Sequence, residues 1–322
     1  MEQSLHRILG GLFLTVLMIG AQAQTFPSRP GRFIVATQTG STSDVVARML
    51  TEHLGKSLGQ PWVVENRGGG GGNIGLSVAA KAAPDGHTLV FGSLGGSIVN
   101  PLIYTGLDFD AEKDFDAVAF VAGVPYVIVV PTDHPAKTFA DLLAMARAKP
   151  GGINVALDTT AVRVAHALLD RSANIKTFPV SYNGPALAQT DLVGGRVDVM
   201  IETPGVMRQL IIGGKARALA VTTQTSTPLM PGVAAIAEQG VPSFGEYTGW
   251  IGAVAPRGTP VNVINLLNVE INKFLNLPDT KARFLTLGFF TRTESPQQFA
   301  AFMNAERARF GPIIKAAGIK PD

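Results

Sequence analysis

The chain contains no cysteine. That excludes a disulfide framework, a thiolate metal site, a cysteine nucleophile and a lipid-modified cysteine anchor. Charge is also scarce: 16% of the 322 residues are charged, against 46% apolar, a balance that excludes a disordered chain. The net charge of +3 and pI near 9.2 come without a Lys/Arg run or a basic stripe interleaved with aromatics. No nucleic-acid partner is expected. Catalytic and metal signatures are missing as well. There is no G-x-S-x-G and no H-E-x-x-H. Beyond the N-terminal segment the histidines are His53, His87, His134 and His166, and no two stand four apart. Neither a metal nor a cofactor is expected. The two P-loop-like stretches, Gly55–Ser57 and Gly213–Lys215, lack the first glycine or the closing Ser/Thr.

What is present begins with a leader. Residues 1–23 carry Arg7, an apolar run from Ile8 to Gly20, and Ala21-Gln22-Ala23 at the end. The run is too short to span a bilayer, and the pattern predicts a secretory signal peptide cleaved before Gln24. An exported chain without cysteine must then be held by its own core, and this one is long enough to build a large one.

Strand-like and helix-like segments alternate along the rest. Arg32–Ala36 ("RFIVA") reads as a strand, and Asp44–Ser57 as a helix with Val45, Met49, Leu50 and Leu54 at helical spacing. Further strands are expected at Trp62–Glu65, Thr88–Gly92, Tyr126–Val130, Asn154–Leu157 and Val197–Ile201, with helices between them, and the last 60 residues read as helices packing back on the first domain. Such alternation predicts an α/β protein of two domains, each a mainly parallel sheet with helices on both faces. Crossings are expected near Ala122–Pro125 and Gly249–Ala253, giving lobe 1 from residues 24–122 plus 251–322 and lobe 2 from 123–250. A ligand would lie between them, at the carboxyl ends of strands.

The segment "ENRGGGGGNIG", Glu65 to Gly75, matches G-x-G-x-x-G at Gly70, Gly72 and Gly75. It follows the second strand, opens a short helix, and has Ser93 where an acidic ribose partner would stand, so a dinucleotide site is not expected. A different kind of site is suggested at Thr39, Gly40, Ser41, Thr42 and Ser43, between the first strand and first helix. Free N–H groups and the helix dipole attract an anion there, while Asp44 offers a plain helix cap.

Six motifs in order, "GSTSDVVARML", "QPWVVENRGGGGGNIG", "AAPDGHTLVFGS", "VSYNGPALAQTDLVGGRVDVM", "KARALAVTT" and "GWIGAVAPRGTP", resemble the Bug-type (TctC-like) substrate-binding proteins of tripartite tricarboxylate transporters. The resemblance covers essentially the whole chain after the leader. It implies a periplasmic, two-lobed binding protein of the type II Venus-flytrap kind. The ligand implied is a small organic carboxylate held by backbone amides, hydroxyls and water. Membrane transporter subunits or a sensor protein are the implied partners, and the protein itself is expected as a monomer. It also implies that the glycines after "VVENR" form a close-approach loop on the cleft side. Three stretches depart from the family pattern: Gln38-Thr39-Gly40-Ser41 before the first helix, Tyr182-Asn183-Gly184 where a cation is usual, and Leu157–His166, which gains Asp158 and Arg163. The alternative from another class is an exported hydrolase acting on a small carboxylate.

The remaining candidates follow from position. Asn73 could bind ligand or cap its helix. Ser93 and Ser97 follow a strand end, and Thr159 and Thr160 are their counterparts in the second lobe. Tyr182 ends a strand and could stack on the ligand or pack the hinge. Glu202 could read a ligand donor or begin a solvated helix. Trp250 could be hinge core or ligand platform. Arg163 could hold a ligand carboxylate or pair with Asp158.

Overall fold

The computed structural model describes residues 26–182, 184–244 and 247–320. The leader, its cleavage site and Asn183 lie outside the described residues.

Two five-stranded sheets organise the molecule. The first takes β1 (Gly31–Val35), β2 (Trp62–Asn66), β3 (Thr88–Ser93), β4 (Phe115–Pro125) and β10 (Thr248–Pro256), in the order β2-β1-β3-β10-β4. The second takes β5 (Val127–Pro131), β6 (Asn154–Leu157), β7 (Phe178–Ser181), β8 (Val199–Glu202) and β9 (Ala216–Val221), in the order β7-β6-β8-β5-β9. Each sheet is mixed. β1 runs parallel to β2 and β3, and β6 parallel to β7 and β8, whereas β10 is antiparallel to β3 and β4, and β5 antiparallel to β8 and β9. The parallel pairs are those joined through helices in βαβ fashion. β5 and β10 enter their sheets from the other sheet and are free of that connection, which is why the pairing is half antiparallel.

Helices join the strands: α1 (Thr42–Leu58), α2 (Asn73–Ala80), α3 (Asn100–Ile103), α4 (Phe139–Ala148), α5 (Thr160–Ala173), α6 (Pro185–Val193), α7 (Pro204–Ile212), α8 (Val261–Asn276), α9 (Pro278–Thr286) and α10 (Pro296–Ala317). α1 shows why its sequence is helical. Ser41 caps it by accepting the Asp44 N–H at 3.2 Å, Gly59 ends it at φ 72°, and Val46, Ala47, Leu50 and Leu54 bury one stripe. Each such side chain contributes roughly 1.5–3 kcal/mol on leaving water.

The five glycines are not slack. Gly69, Gly70, Gly71 and Gly72 all have positive φ, from 56° to 122°, a run that side-chain-bearing residues do not sustain. The loop is pinned to its own chain, with the Asn100 side chain donating to the Gly71 carbonyl at 2.9 Å. Gly75 then allows α2 to lie against Ala36: a Cβ there would stand 2.8 Å from the alanine methyl.

One residue, Tyr126, separates β4 from β5, and the chain returns from β9 to β10 through residues 222–247. α10 begins with a Ser295–Gln298 capping box, packs on β4 in the first sheet, and continues onto α5 beside the second. The C-terminal helices thus do not serve the first sheet alone. A continuous apolar cluster follows the same path, through Phe120, Trp250, Phe299, Tyr126, Tyr247 and Phe310 to Leu157 and Leu169. Among the described residues no helix is long and apolar enough to cross a membrane.

Candidate ligand cleft

A cavity of about 380 Å³ lies between the two sheets. The first sheet supplies Thr42 and Ser43 at the start of α1, Ser93, Leu94 and Gly95 past β3, and Gly249, Trp250 and Ile251 of β10. Leu287 and Phe289 reach it from beyond α9. From the second sheet come Ala161 in the first turn of α5 and Thr203, Gly205 and Val206 at the start of α7, with Tyr126 between the sheets. The residues past β3 and those opening α1, α5 and α7 are strand carboxyl ends and helix amino ends, where unpaired N–H groups collect, while Gly249, Trp250 and Ile251 come from the amino end of antiparallel β10.

The geometry at α1 is specific. The Asp44 N–H is taken by Ser41 Oγ, and the Val45 N–H by the Ser41 carbonyl at 3.0 Å. The N–H groups of Thr42 and Ser43 come before the first turn of the helix is bonded, and both residues line the cavity. Asp44 stays buried beneath them, accepting from the Gly40 N–H at 2.9 Å, Arg48 Nε at 3.1 Å and Asn66 Nδ2 at 3.0 Å. The Arg48 guanidinium holds its carboxyl below the ordinary carboxylate range.

Past β3 the chain forms a π-helical turn, Leu94–Val99. Ser93 caps it by accepting the Gly96 N–H at 3.0 Å, and Ser97 Oγ accepts the Ser93 N–H at 3.3 Å. Wide turns of this kind recur at functional sites.

Of the residues singled out from sequence, Thr42, Ser43 and Ser93 line the cavity together. Thr39 and Gly40 form an exposed loop whose Gly40 N–H is spent on Asp44, and Ser41 is the cap of α1. Asn73 opens α2 and accepts from Asn100 Nδ2 at 2.8 Å. Ser97 is buried and borders a different cavity, with Phe115 and Arg257. Thr159 caps α5, accepting the Val162 N–H at 3.2 Å, and Thr160 immediately precedes the cavity-lining Ala161. Arg163 borders a third cavity, between α5 and the end of α10, with His166, Asp170, Ile313 and Lys320. The Tyr182 hydroxyl donates to Asp191 Oδ2 at 2.7 Å, and burial together with that carboxylate pushes the phenol up to about 12.

Glu202 ends β8 directly before cavity-lining Thr203 and is buried, 7% exposed. Its Oε1 accepts the Thr203 N–H at 2.9 Å. Burial, with the Asp158 charge adding to it, pushes its carboxyl up to about 7 despite that hydrogen bond. Trp250 belongs to the apolar core and also borders the cavity. Its ring packs edge-on against Phe299 and Phe302, with centroids 5.7 and 5.6 Å away, while the residue lines the cavity. Its indole Nε1 is buried without a hydrogen-bond acceptor among the described residues.

Sequence reasoning passed over Tyr126, Leu94, Gly95, Ala161, Thr203, Gly205, Leu287 and Phe289. A signal existed for Thr203, which stands before Pro204 at a strand-to-helix junction just as Thr42 follows its own strand. Leu287 and Phe289 carried none, since they come from a distant segment. Among the described residues no group of His, Asp or Glu is arranged to hold a metal.

Two α/β sheets joined by adjacent crossings, with a cleft at their strand ends, make the architecture of the two-lobed, type II periplasmic binding proteins. The chain belongs to the tripartite tricarboxylate transporter family receptor (TctC) family, whose profile matches residues 46–319. It is 38% identical to the UPF0065 protein of the tcbD–tcbE intergenic region of a Pseudomonas species, over 96% of this chain and 93% of that one. Among solved structures it is similar to an R. palustris protein with adipate, at 32% identity and a TM-score of 0.77, covering 92% of this chain and 100% of that one. It is also similar to MatC from Rhodopseudomonas palustris with bound malate, at 29% identity and a TM-score of 0.72, covering 90% and 100%.

Proposed function

We propose that the protein is a periplasmic solute-binding protein that captures a small organic carboxylate in this cleft and delivers it to the membrane subunits of a tripartite transporter. The observation that carries the reading is the convergence of helix amino ends from both sheets, α1, α5, α7 and the turn after Ser93, on one cavity of about 380 Å³. Backbone N–H groups and aligned dipoles there favour an anion without a fixed cation. The adipate and malate of the two similar structures agree with a ligand of that class.

In this reading Thr42, Ser43 and Ser93 meet the carboxylate. The lobes, residues 24–122 with 251–322 and residues 123–250, close on it about Tyr126. The leader over residues 1–23 directs export, and the mature chain works as a monomer beside its membrane partners.

The test is a thermal-shift screen of the purified protein against dicarboxylates, tricarboxylates, aromatic acids and amino acids. A ligand at a hundred times its Kd should stabilise the fold by about 2.7 kcal/mol. Conversion of any hit to product would replace the binding reading with the exported-hydrolase one.

A further inference from the structure

A second cavity of about 380 Å³ lies beyond the contact of Gly205 with Leu287 and Gly288. Gly205 borders both cavities, whereas Leu287 borders the cleft and Gly288 this one. One wall is a face of α7, with Pro204, Arg208 and Ile211 at positions i, i+4 and i+7. The loop after β9 closes it with Leu229 and Met230. Pro228 and Pro231 bracket those two, and their fixed φ stiffens the rim. Large apolar side chains stay in water here: Ile212 is 69% and Leu285 52% exposed, and both border the cavity. The lining carries two polar side chains. Thr286 spends its hydroxyl proton on the Ala282 carbonyl at 3.0 Å. Arg208 is the one charged residue of the lining, is exposed, and makes no hydrogen bond or ion pair among the described residues.

We propose that this cavity is a second ligand site, separate from the cleft, and that it takes an amphiphilic anion: one carboxylate or comparable head on the Arg208 guanidinium, and an apolar body along Ile212, Met230 and Leu285. The guanidinium fork pairs with a carboxylate through two parallel hydrogen bonds. The apolar body gains by displacing water from side chains that the fold leaves exposed. Small-ligand pockets span roughly 300–1,000 Å³ and are mainly apolar with a few placed polar groups, which is the character of this lining. A cationic head would meet Arg208 with like charge, and no carboxylate lines the cavity to receive it. A second anionic group on the body would be stranded among apolar side chains, at a cost in affinity. The site is independent of the cleft ligand, since Gly205 is the only residue shared by the two linings.

The experiment is calorimetry with decanoate and with decyltrimethylammonium, each below its micelle-forming concentration. The proteins are the wild type, Arg208→Gln, Arg208→Lys, Ile212→Glu and Thr42→Pro. Arg208 and Ile212 are exposed, so their variants should keep the wild-type urea midpoint. The wild type should bind decanoate saturably, at least about tenfold tighter than the cation of equal chain length. Arg208→Gln and Ile212→Glu should each lose at least about tenfold, and Arg208→Lys should recover part, because the charge remains while the fork is lost. Thr42→Pro should bind decanoate as the wild type does. Absence of saturable binding, equal affinity for the two probes, or a decanoate Kd within about twofold of wild type in Arg208→Gln overturns the proposal. Loss of decanoate binding in Thr42→Pro but not in Arg208→Gln would seat decanoate in the cleft, overturning this site and supporting the carboxylate reading. Sedimentation at the same concentrations checks the remaining occupant: a dimer that Ile212→Glu dissociates would put a second copy of the chain in the groove and overturn the proposal likewise.

Discussion

Thr222 holds Tyr126 at three points. Its Oγ1 accepts the Tyr126 N–H at 2.8 Å and donates to the Tyr126 carbonyl at 3.2 Å, while its own N–H reaches that carbonyl at 3.0 Å. Tyr126 is the single residue between the sheets on the outward crossing, and Thr222 begins the return. The two crossings are thereby tied into one joint, completed by the Tyr247 N–H on the Thr222 carbonyl at 2.8 Å.

Replacing Thr222 with Val keeps the shape and leaves the buried Tyr126 N–H without its acceptor. An unsatisfied buried amide costs about 1–3 kcal/mol. Urea denaturation should show a loss of that size for Thr222→Val, and Thr222→Ser should recover most of it because the hydroxyl remains. Equal stability of Thr222→Val and wild type would mean that the joint is held by packing of Tyr126 and Tyr247 instead.

Thr42 offers a way to remove one cleft N–H without disturbing the helix. It is the first residue of α1, where proline is well tolerated, and Ser41 before it has the extended conformation that a following proline requires, with φ −65° and ψ 160°. Thr42→Pro should keep its urea midpoint to within about 1 kcal/mol. Its affinity for the carboxylate ligand should fall at least about tenfold, the scale of one hydrogen bond to a charged group. An unchanged Kd would move the anion away from α1.

Much of this site was legible in the sequence at the level of elements. Alternating segments located both sheets, and the strand-to-helix junctions at Thr42–Ser43 and Ser93 lie in the cleft as their positions implied. The five-glycine loop was expected as a close approach on the cleft side; its run of positive φ and the Asn100 contact make it a pinned loop, and none of its glycines is among the residues lining the cavity. What the sequence hid is non-local or rotational. The direction of β5 and β10 depends on which sheet they arrive from, which no local pattern encodes. Leu287 and Phe289 join the cleft only because α8 and α9 fold back on the first sheet. Hydroxyl-bearing loop residues also divide between cavity lining and helix capping, and Ser41 and Thr159 are spent on their own helices.

Glu202 makes a pH dependence of defined sign. Its folded carboxyl titrates at about 7 against an ordinary value near 4.5. The folded state therefore holds its proton more tightly than the unfolded chain. The associated stability is fully present below about pH 4.5 and is lost as pH rises through about 7. At about 1.4 kcal/mol per unit, the loss is at most about 3.5 kcal/mol. Burial holds the His134 and His166 imidazoles below their ordinary value, a contribution of opposite sign, present at high pH and lost as pH falls. The measurement is therefore a difference. Between pH 4.5 and 8, wild type should lose stability relative to Glu202→Gln, which has no carboxyl to ionise. Parallel curves for the two proteins would show that Glu202 ionises freely in the fold.

Gly205 and Gly288 meet across the cleft. A Cβ built on Gly205 would stand 3.7 Å from the Leu287 carbonyl oxygen, and one built on Gly288 3.6 Å from the Gly205 nitrogen. A methyl fits at Gly205, and a branched side chain holds the two sides apart. Gly205→Ala should bind ligand within about twofold of wild type, and Gly205→Leu at least about tenfold more weakly. Leucine is the better helix former by up to about 1 kcal/mol, so Gly205→Leu should not lose stability. Weak binding by a stable protein is the signature of blocked closure. Full affinity in Gly205→Leu would show that the ligand is held with the cleft open at this point.

Arg163 is the residue on which sequence and structure part most clearly. Its position at the start of a helix next to a strand end suits a cation for the ligand carboxylate. Yet Ala161 is the α5 residue that lines the cleft, and two further residues turn the helix by about 200°. Arg163 consequently faces the cavity beside the end of α10, among Leu157, His166, Asp170 and Ile313. Its side chain belongs to the contact between the second sheet's helix and the C-terminal helix. Arg163→Ala should leave ligand affinity within about twofold of wild type and show its effect as a lower urea midpoint. Arg163→Lys should change the affinity no more than alanine does, because no ligand fork is lost. A tenfold or larger loss of affinity in Arg163→Ala, with the midpoint unchanged, would place the guanidinium in the cleft and require α5 to turn toward it when ligand binds.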